Sequence, residues 1–158
     1  MRKRIIDDEQ SAEEILNEVR WLDLEDLADV EITSEDPAHP IEGALLPEMS
    51  SGWQAAAPGV QRVRLRFATP LALTRIFLEF QEEEAERSQE FVLRWSADEG
   101  HSWTEIVRQQ FTFSPTGATR EVEDFRVELS GVRLLELEVN PDRGVGRARA
   151  SLQRLRLA

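Results

Sequence analysis

Alternation of apolar and polar residues is the sequence feature that most restricts the fold of this chain. Residues 62–67 alternate arginine with valine, leucine and phenylalanine, and residues 135–139 alternate leucine or valine with glutamate. A period of two is the side-chain period of a strand with one buried face. Similar short runs occur at 30–32, 73–80, 91–95, 106–113, 126–129 and 151–157. This series of short strands predicts an all-β fold, an antiparallel β-sandwich, in which Pro70 ends the run at 62–67.

An amphipathic helix is predicted before the strands. Ser11 and Glu14 have the spacing of a capping box, with Ser11 as the N-cap. Apolar residues then follow at helical spacing between Ile15 and Leu22, and the helix is expected to end within residues 20–27. We expect this helix to dock its apolar stripe on the rest of the protein.

A long loop, Ser34–Gly59, separates the short strand at 30–32 from the main series. It contains four prolines and three glycines, yet apolar residues such as Trp53 predict that it is ordered. Loops of this length are often functional. We divide the chain into an N-terminal helical extension, residues 1–27, and a β-sandwich domain, residues 28–158.

The 158 residues carry a formal net charge of −12, and this charge is unevenly placed. Residues 1–59 contain 15 acidic and 4 basic residues (net −11), whereas residues 60–158 contain 16 acidic and 15 basic residues (net −1). Nucleic acids and anionic membranes attract basic surfaces, so we expect neither as a partner. The first residues lack the apolar segment of a signal peptide, and no run of about 20 apolar residues occurs, so the expected location is the cytoplasm.

Few catalytic or metal-binding arrangements are compatible with this composition. The absence of cysteine excludes disulfides, thiol catalysis and thiolate metal sites. The two histidines, His39 and His101, cannot form a three-histidine metal site, and no serine has the surroundings of a nucleophile elbow. We therefore predict that the protein is not an enzyme and has no cofactor.

The segment Ser96–Trp103 is similar to the Asp-box hairpin, S-x-D-x-G-x-x-W, of sialidase propellers. Asp98 would accept N–H groups across the turn, Gly100 would allow positive φ, and Trp103 would pack beneath them. Propellers carry several copies of the motif, whereas this chain has one, which argues against a propeller. The segment then predicts either a well-made β-turn or a calcium or sugar contact at Asp98.

Three arginines, Arg62, Arg64 and Arg66, share one face of a predicted strand and form a candidate anion patch. The same holds for Arg154 and Arg156 near the C-terminus. Glutamates on neighbouring strands favour a different interpretation, in which these arginines make cross-strand ion pairs on an exposed sheet face.

The order of several segments resembles the discoidin or F5/8 type C superfamily, whose galactose-binding-like β-sandwiches include many carbohydrate-binding modules. The matching segments are residues 29–43, Ser51-Gly52-Trp53, 61–67, 91–103, 131–137 and 150–155. Residues 108–123 also look like those of small single-domain bacterial proteins with a carbohydrate-binding-like domain. The resemblance implies a jelly-roll sandwich and a non-catalytic module for a carbohydrate or sugar-containing ligand. A protein-interaction or scaffold module is the alternative, because intracellular members of the superfamily serve in that way.

Loop position and residue type nominate the ligand-binding residues. Trp53 or Phe113 would stack on a sugar ring, whereas His39, Arg120 and Arg143 would hydrogen-bond its hydroxyls. For Trp53 the alternative is that the ring pins the loop.

The resemblance also implies a metal site. Members of the superfamily often hold a structural calcium between a loop aspartate and a closing glutamate. In this chain Glu42 stands for the aspartate, Ser51 follows at a longer spacing, and Gln153 replaces the glutamate. Because the oxygen cage has lost one negative charge, we expect this site to hold no calcium.

Overall fold

The computed structural model describes residues 1–3, 8–144 and 146–158, and strands dominate it, which confirms the all-β prediction. Residues 4–7, on which the prediction of no signal peptide depends, lie outside these ranges. The helices are α1 (Asp8–Glu18), α2 (Leu24–Leu27) and α3 (Glu42–Leu45). The strands are β1 (Ala28–Ile32), β2 (Trp53–Pro58), β3 (Gln61–Gln81), β4 (Arg87–Ser96), β5 (Thr104–Phe113), β6 (Arg120–Asn140), β7 (Arg149–Leu152) and β8 (Arg154–Leu157).

Two long strands, β3 and β6, form the frame of the sandwich. Each has 21 residues, and they pair antiparallel over most of their length. Their register shifts between Arg66 and Arg75 of β3, and Gly131 of β6 adopts a φ of 71° in the same region. Such irregularities bend a strand pair, and here the bend folds one end of the pair over the other.

The bend produces two packed layers. The front layer has the order β1–β3–β6–β4–β5, with β6 returning between β3 and β4. In the back layer the second half of β3 pairs with the first half of β6 on one side and with β8 on the other. The strand β7 leads directly into β8 and pairs with β2. This antiparallel arrangement confirms the predicted sandwich.

Alternate residues of both layers fill the core between them. The inward side chains of β3, including Val63, Leu65 and Phe67, are almost completely buried. Phe80 and Phe91 stack across the layers with their ring centroids 5.3 Å apart. On the outer front face Arg62 pairs with Glu138 at 3.1 Å and Arg64 with Glu136 at 2.9 Å, which confirms the cross-strand interpretation for this strand. That interpretation is wrong for Arg156, whose guanidinium is buried and donates to the Ala44 carbonyl at 2.8 Å.

The N-terminal segment packs on the back of the sandwich. The backbone N–H of Leu22 donates to the carbonyl of Leu157 at 2.8 Å. The ring centroids of Trp21 and Phe77 lie 6.1 Å apart. Leu24 is buried in the core. Ser11 lies inside α1, so its predicted role as the N-cap is wrong, because the helix already includes Asp8. None of the described helices is both long and apolar enough to cross a bilayer.

Two predictions about strand limits were wrong. Pro70 does not end the first strand, because β3 continues through it to Gln81. Pro70 falls within the register shift between Arg66 and Leu71, where the ladder does not require its missing N–H. The predicted loop Ser34–Gly59 likewise contains α3 and β2.

Candidate functional site

A cavity of about 310 Å³ opens between the β2–β7 pair and the loop that follows β3. Side chains from four separate segments line it: the turn before α3, the strand β2, the loop after β3, and the strand β7. Those with hydrogen-bonding groups include His39, Gln54, Glu83, Glu84, Arg149 and Ser151. The cavity is the strongest candidate for a ligand site at the edge of the sandwich.

The β2–β7 wall follows from strand alternation. Trp53 is paired with Leu152, and the next pair is Gln54 with Ser151. Trp53 and Leu152 point into the core, where both are buried. The opposite direction of the next pair leaves Gln54 and Ser151 partly exposed beside each other on the cavity wall.

Backbone hydrogen bonds place His39 next to Gln54. The N–H of Asp36 donates to the Gln54 carbonyl at 2.8 Å, and the N–H of Gln54 donates to the His39 carbonyl at 3.1 Å. The His39 side chain is 45% exposed, although its Nδ1 is shielded and has no hydrogen-bond partner among the described residues. The turn therefore presents an imidazole ring to the cavity from a fixed backbone.

The opposite wall is an acidic loop held by Arg87. The Arg87 Nε donates to Glu82 Oε1 at 2.7 Å, and its Nη1 donates to the Pro141 carbonyl at 2.7 Å. Glu83 accepts a hydrogen bond from the Gln81 amide at 2.9 Å. Glu84 is exposed. Because Arg87 neutralises Glu82, the uncompensated charge of this wall lies on Glu83 and Glu84.

Arg149 supplies the positive charge of the cavity. It lies on β7 opposite Pro58 and is exposed. Within the ranges that the structure describes, its guanidinium has no carboxylate within ion-pair distance, unlike most arginines of the front sheet. A guanidinium without a partner keeps its five donors for a ligand.

The structure brings together four of the predicted site residues. His39, Ser51, Trp53 and Gln153 all line the cavity. Trp53, however, is only 2% exposed, and its Nε1 donates to the Ser34 carbonyl at 3.1 Å. Neither face of the ring is open to a sugar, so stacking does not fit, and the alternative that Trp53 pins the loop does.

The other predicted ligand-binding residues lie elsewhere. Phe113 is fully buried under Arg87, whose guanidinium carbon lies 4.8 Å from the ring centroid, so Phe113 cannot stack on a ligand. The Nη2 of Arg120 pairs with Glu79 Oε1 at 2.7 Å. Arg143 is exposed and donates to the Gln110 side chain at 2.9 Å. Neither arginine lines the cavity.

The three residues proposed for calcium do not line one cavity. Glu42 lines a different groove, whereas Ser51 and Gln153 line the cavity. The Gln153 amide donates to the Ser50 carbonyl at 2.9 Å, so it presents a hydrogen to the loop where a cation would need an oxygen. In the described part of the chain no three histidine, aspartate or glutamate residues are grouped as metal ligands.

The segment Ser96–Trp103 forms the predicted turn. Asp98 Oδ1 accepts from the Ser102 backbone N–H at 2.8 Å, and Oδ2 accepts from the Ser102 hydroxyl at 2.6 Å. Gly100 has a φ of 87° and packs against the Trp103 ring. The bonds from Ser102, with a further one from Ser96, lower the pKa of Asp98 to about 2. Both oxygens are occupied within the turn, which favours the structural interpretation of this segment.

Sequence reasoning missed Gln54, Arg149 and Ser151. All three belong to β2 and β7, and β2 lies within the segment that the prolines and glycines of residues 34–59 predicted to be a loop. Trp53 and Leu152 are apolar, which predicts that they face the core. Neighbouring residues of a strand face opposite sides, so Gln54 and Ser151 would then face outward. The pairing of the two strands could not be found from local pattern, since about 100 residues separate them.

Solved carbohydrate-binding modules share this fold. CBM32-3 from a family 31 glycoside hydrolase of Clostridium perfringens aligns at 18% identity and a TM-score of 0.65, covering 87% of this chain and 93% of the module. A pectin-binding module aligns at 16% identity and a TM-score of 0.60, covering 83% and 89%. Chitosan-binding module 1 from a chitosanase/glucanase of Paenibacillus sp. IK-5 aligns at 17% identity and a TM-score of 0.57, covering 83% and 94%. No family model and no curated protein matches the sequence.

The alignments therefore concern architecture. They confirm the predicted galactose-binding-like, jelly-roll type of β-sandwich over more than four fifths of the chain. At these sequence identities the likeness is one of fold.

Proposed function

We propose that this protein is a non-catalytic carbohydrate-binding module and that the cavity beside β2 and β7 is its glycan site. The observation that carries the proposal is the convergence of polar side chains from four chain segments on one cavity, where Gln54, Glu84 and Arg149 have no side-chain partner among the described residues. The similar solved structures that bind pectin and chitosan support it, because they have the same fold.

Sugar hydroxyls both donate and accept hydrogen bonds, so planar polar side chains that donate, accept or do both can recognise them. The Gln54 amide, the Arg149 guanidinium and the Glu84 carboxylate are groups of this kind on the cavity wall. Among the described residues that line the cavity, the imidazole of His39 is the only exposed ring, since Trp53 is buried. The binding mode we propose therefore depends on hydrogen bonds, with His39 as the flat contact.

A binding role without catalysis fits the carboxylates of the cavity. A glycosidase acid must stay protonated at neutral pH, and burial is the usual means. Glu82 is ion-paired with Arg87, whereas Glu83 and Glu84 are exposed. An ion-paired carboxylate and two exposed ones lack the buried surroundings of such an acid.

A glycan array with the purified protein, followed by calorimetry on the glycans retained, tests the proposal. We expect Arg149→Ala and Gln54→Ala each to weaken glycan binding about tenfold, as expected for losing a charged or paired hydrogen bond. The matched control is Arg143→Ala, an exposed arginine outside the cavity, which should change the affinity less than about twofold. Absence of any glycan ligand, or equal effects of Arg149→Ala and Arg143→Ala, would contradict the proposed site.

A further inference from the structure

A second groove, of about 440 Å³, lies between α2, β1 and α3 and shares no residue with the glycan cavity. Its floor is apolar and is formed by Leu24, Ile41 and Leu45, all part of the hydrophobic core. The groove is thus an opening along the flank of the sandwich, where the core reaches the surface beside a strand.

That strand, β1, has a free edge. It is the last strand of the front layer, and within the described residues it pairs only with β3. The backbone N–H of Thr33 donates to the Arg62 carbonyl at 3.1 Å. Because backbone groups alternate in direction along an antiparallel strand, those of Val30 and Ile32 point to the open side.

The inner face of β1 also lacks full cover. Val30 lies opposite Leu65 in the ladder, and Leu65 is almost completely buried. Val30 nevertheless is 36% exposed, because no element packs fully over this end of the layer. An apolar side chain delivered beside Val30 would reach the groove and extend the core.

The rim of the groove is acidic. Glu25, Asp29 and Glu42 are exposed, and in the described part of the chain none has an arginine or lysine within ion-pair distance. Glu35 also lines the groove and accepts a hydrogen bond from the Ile41 N–H at 2.9 Å. The apolar floor is therefore surrounded by negative charge without a counterpart.

We propose that this groove and the free edge of β1 bind an extended basic peptide segment of a partner protein. The segment would add a strand to β1 through the backbone groups of Val30 and Ile32. One set of its alternating side chains would be apolar and enter the groove, and the other set would be lysine or arginine facing the acidic rim.

A second copy of the same chain fits this edge poorly. In a two-fold antiparallel pairing centred on Val30, Asp29 of one copy would lie opposite Glu31 of the other. Like charges in directly opposed positions destabilise a strand pair. Charge complementarity thus selects a basic partner over self-association.

The test uses the intact protein and a labelled peptide of about eight residues that alternates lysine with valine. We expect the peptide to bind, with affinity falling as salt rises. We expect the Val30 and Ile32 amides to exchange at least about tenfold more slowly in the complex, while Glu31 and Thr33 change little. Equal binding of a Glu-Val or a Lys-Gly peptide of the same length would overturn the proposal, because charge and apolar anchoring are both required.

Two variants locate the interaction. The combination Glu25→Gln, Asp29→Asn and Glu42→Gln should weaken peptide binding about tenfold. Its control, Glu14→Gln with Glu86→Gln and Glu128→Gln, removes the same charge from exposed positions outside the groove and should leave the affinity unchanged. Val30→Pro removes the outward N–H without touching the β1–β3 ladder and should also abolish binding. Equal affinities for the groove and control variants would overturn the proposal, whatever the glycan array shows.

Discussion

Glu121 is the most unusual single residue of the sandwich. It lies on β6 opposite Phe80, faces the core, and is only 1% exposed. Its Oε1 accepts from the Gln89 amide at 3.0 Å, whereas Oε2 has no partner among the described residues. Burial raises the pKa of Glu121 to about 8 and also raises the pKa of Glu123, two residues along the same face. Glu121 is therefore largely protonated at neutral pH.

This protonation should make stability depend on pH. Folding raises the pKa of Glu121 from an ordinary 4.5 to about 8. The contribution of protonated Glu121 to the free energy of unfolding is therefore fully present below pH 4.5, and it is lost as the pH rises through about 8. Glu121→Gln keeps the acceptor for Gln89 and cannot ionise. We expect it to raise the free energy of unfolding by about 1–3 kcal/mol at pH 9, with little change at pH 5. Urea unfolding at both values measures this, and Glu128→Gln is the exposed control. Parallel pH profiles for Glu121→Gln and the wild type would refute it.

Trp53 illustrates how burial decides between two roles for one aromatic residue. Because its ring fills the core and its Nε1 bonds to Ser34, Trp53→Ala should destabilise the fold by about 3–5 kcal/mol. Val60→Ala, at an exposed position in the following turn, should change stability by less than about 0.5 kcal/mol. Chemical unfolding followed by circular dichroism compares them. A stable Trp53→Ala protein that had lost glycan binding would instead restore the stacking role.

At the scale of elements, strand existence could be predicted but strand limits could not. The alternating runs at 62–67 and 135–139 are visible because each buries one face. The sequence pattern does not show that these strands continue through Pro70 and Gly131, because the alternation of apolar and polar residues is lost where a strand bends. β2 was hidden for a different reason, since the alanines at its centre favour no strand by propensity.

The residues of the candidate site could likewise be predicted only in part. His39, named for ligand contact, and Gln153, named for the metal position, both line the cavity; they were chosen because they stand in loops or beside motif positions that resemble a known superfamily. Gln54 and Arg149 were missed because their role arises from the pairing of β2 with β7, a contact between distant parts of the chain.

The contact between the loop and the closing strand leads to a prediction about metals. The Gln153 amide already connects its strand to the Ser50 carbonyl. We expect millimolar calcium to shift the Tm by less than about 1 °C relative to EDTA, since an ion stabilises only where it binds. Gln153→Ala should lower the free energy of unfolding by about 1 kcal/mol. Thermal scans with calcium, magnesium and EDTA measure both effects, and a rise of several degrees specific to calcium would show that a metal site exists.

At the scale of the whole molecule, the two surfaces differ in charge. The cavity proposed to bind glycans is lined by three glutamates and two arginines, whose formal charges sum to −1. The groove beside β1 is lined by Glu25, Asp29, Glu35 and Glu42 without any basic residue. Four of the fifteen acidic residues of 1–59 therefore line this groove, whereas the cavity beside β2 and β7 stays close to balance.

That balance predicts which sugars the cavity should prefer. Because Glu83 and Glu84 outnumber Arg149 once Glu82 and Arg87 are paired, oligomers of glucosamine should bind more tightly than oligomers of galacturonate. We expect a difference of about fivefold or more at low salt. Replacing both glutamates with glutamine should reduce it. Calorimetry with the two oligomers measures the ratio, and tighter binding of galacturonate would be the contrary result.

The long strand β6 has a consequence for how the molecule is made. It is central to both layers, lying between β3 and β4 in front and beside β3 behind. During synthesis, β3 and the β4–β5 hairpin are made before β6, the strand that lies between them in the sheet. Until β6 is available, they cannot join into one sheet, and their apolar faces stay exposed. Folding of the nascent chain should therefore occur late, once β6 has left the exit tunnel and can pair with β3 and β4.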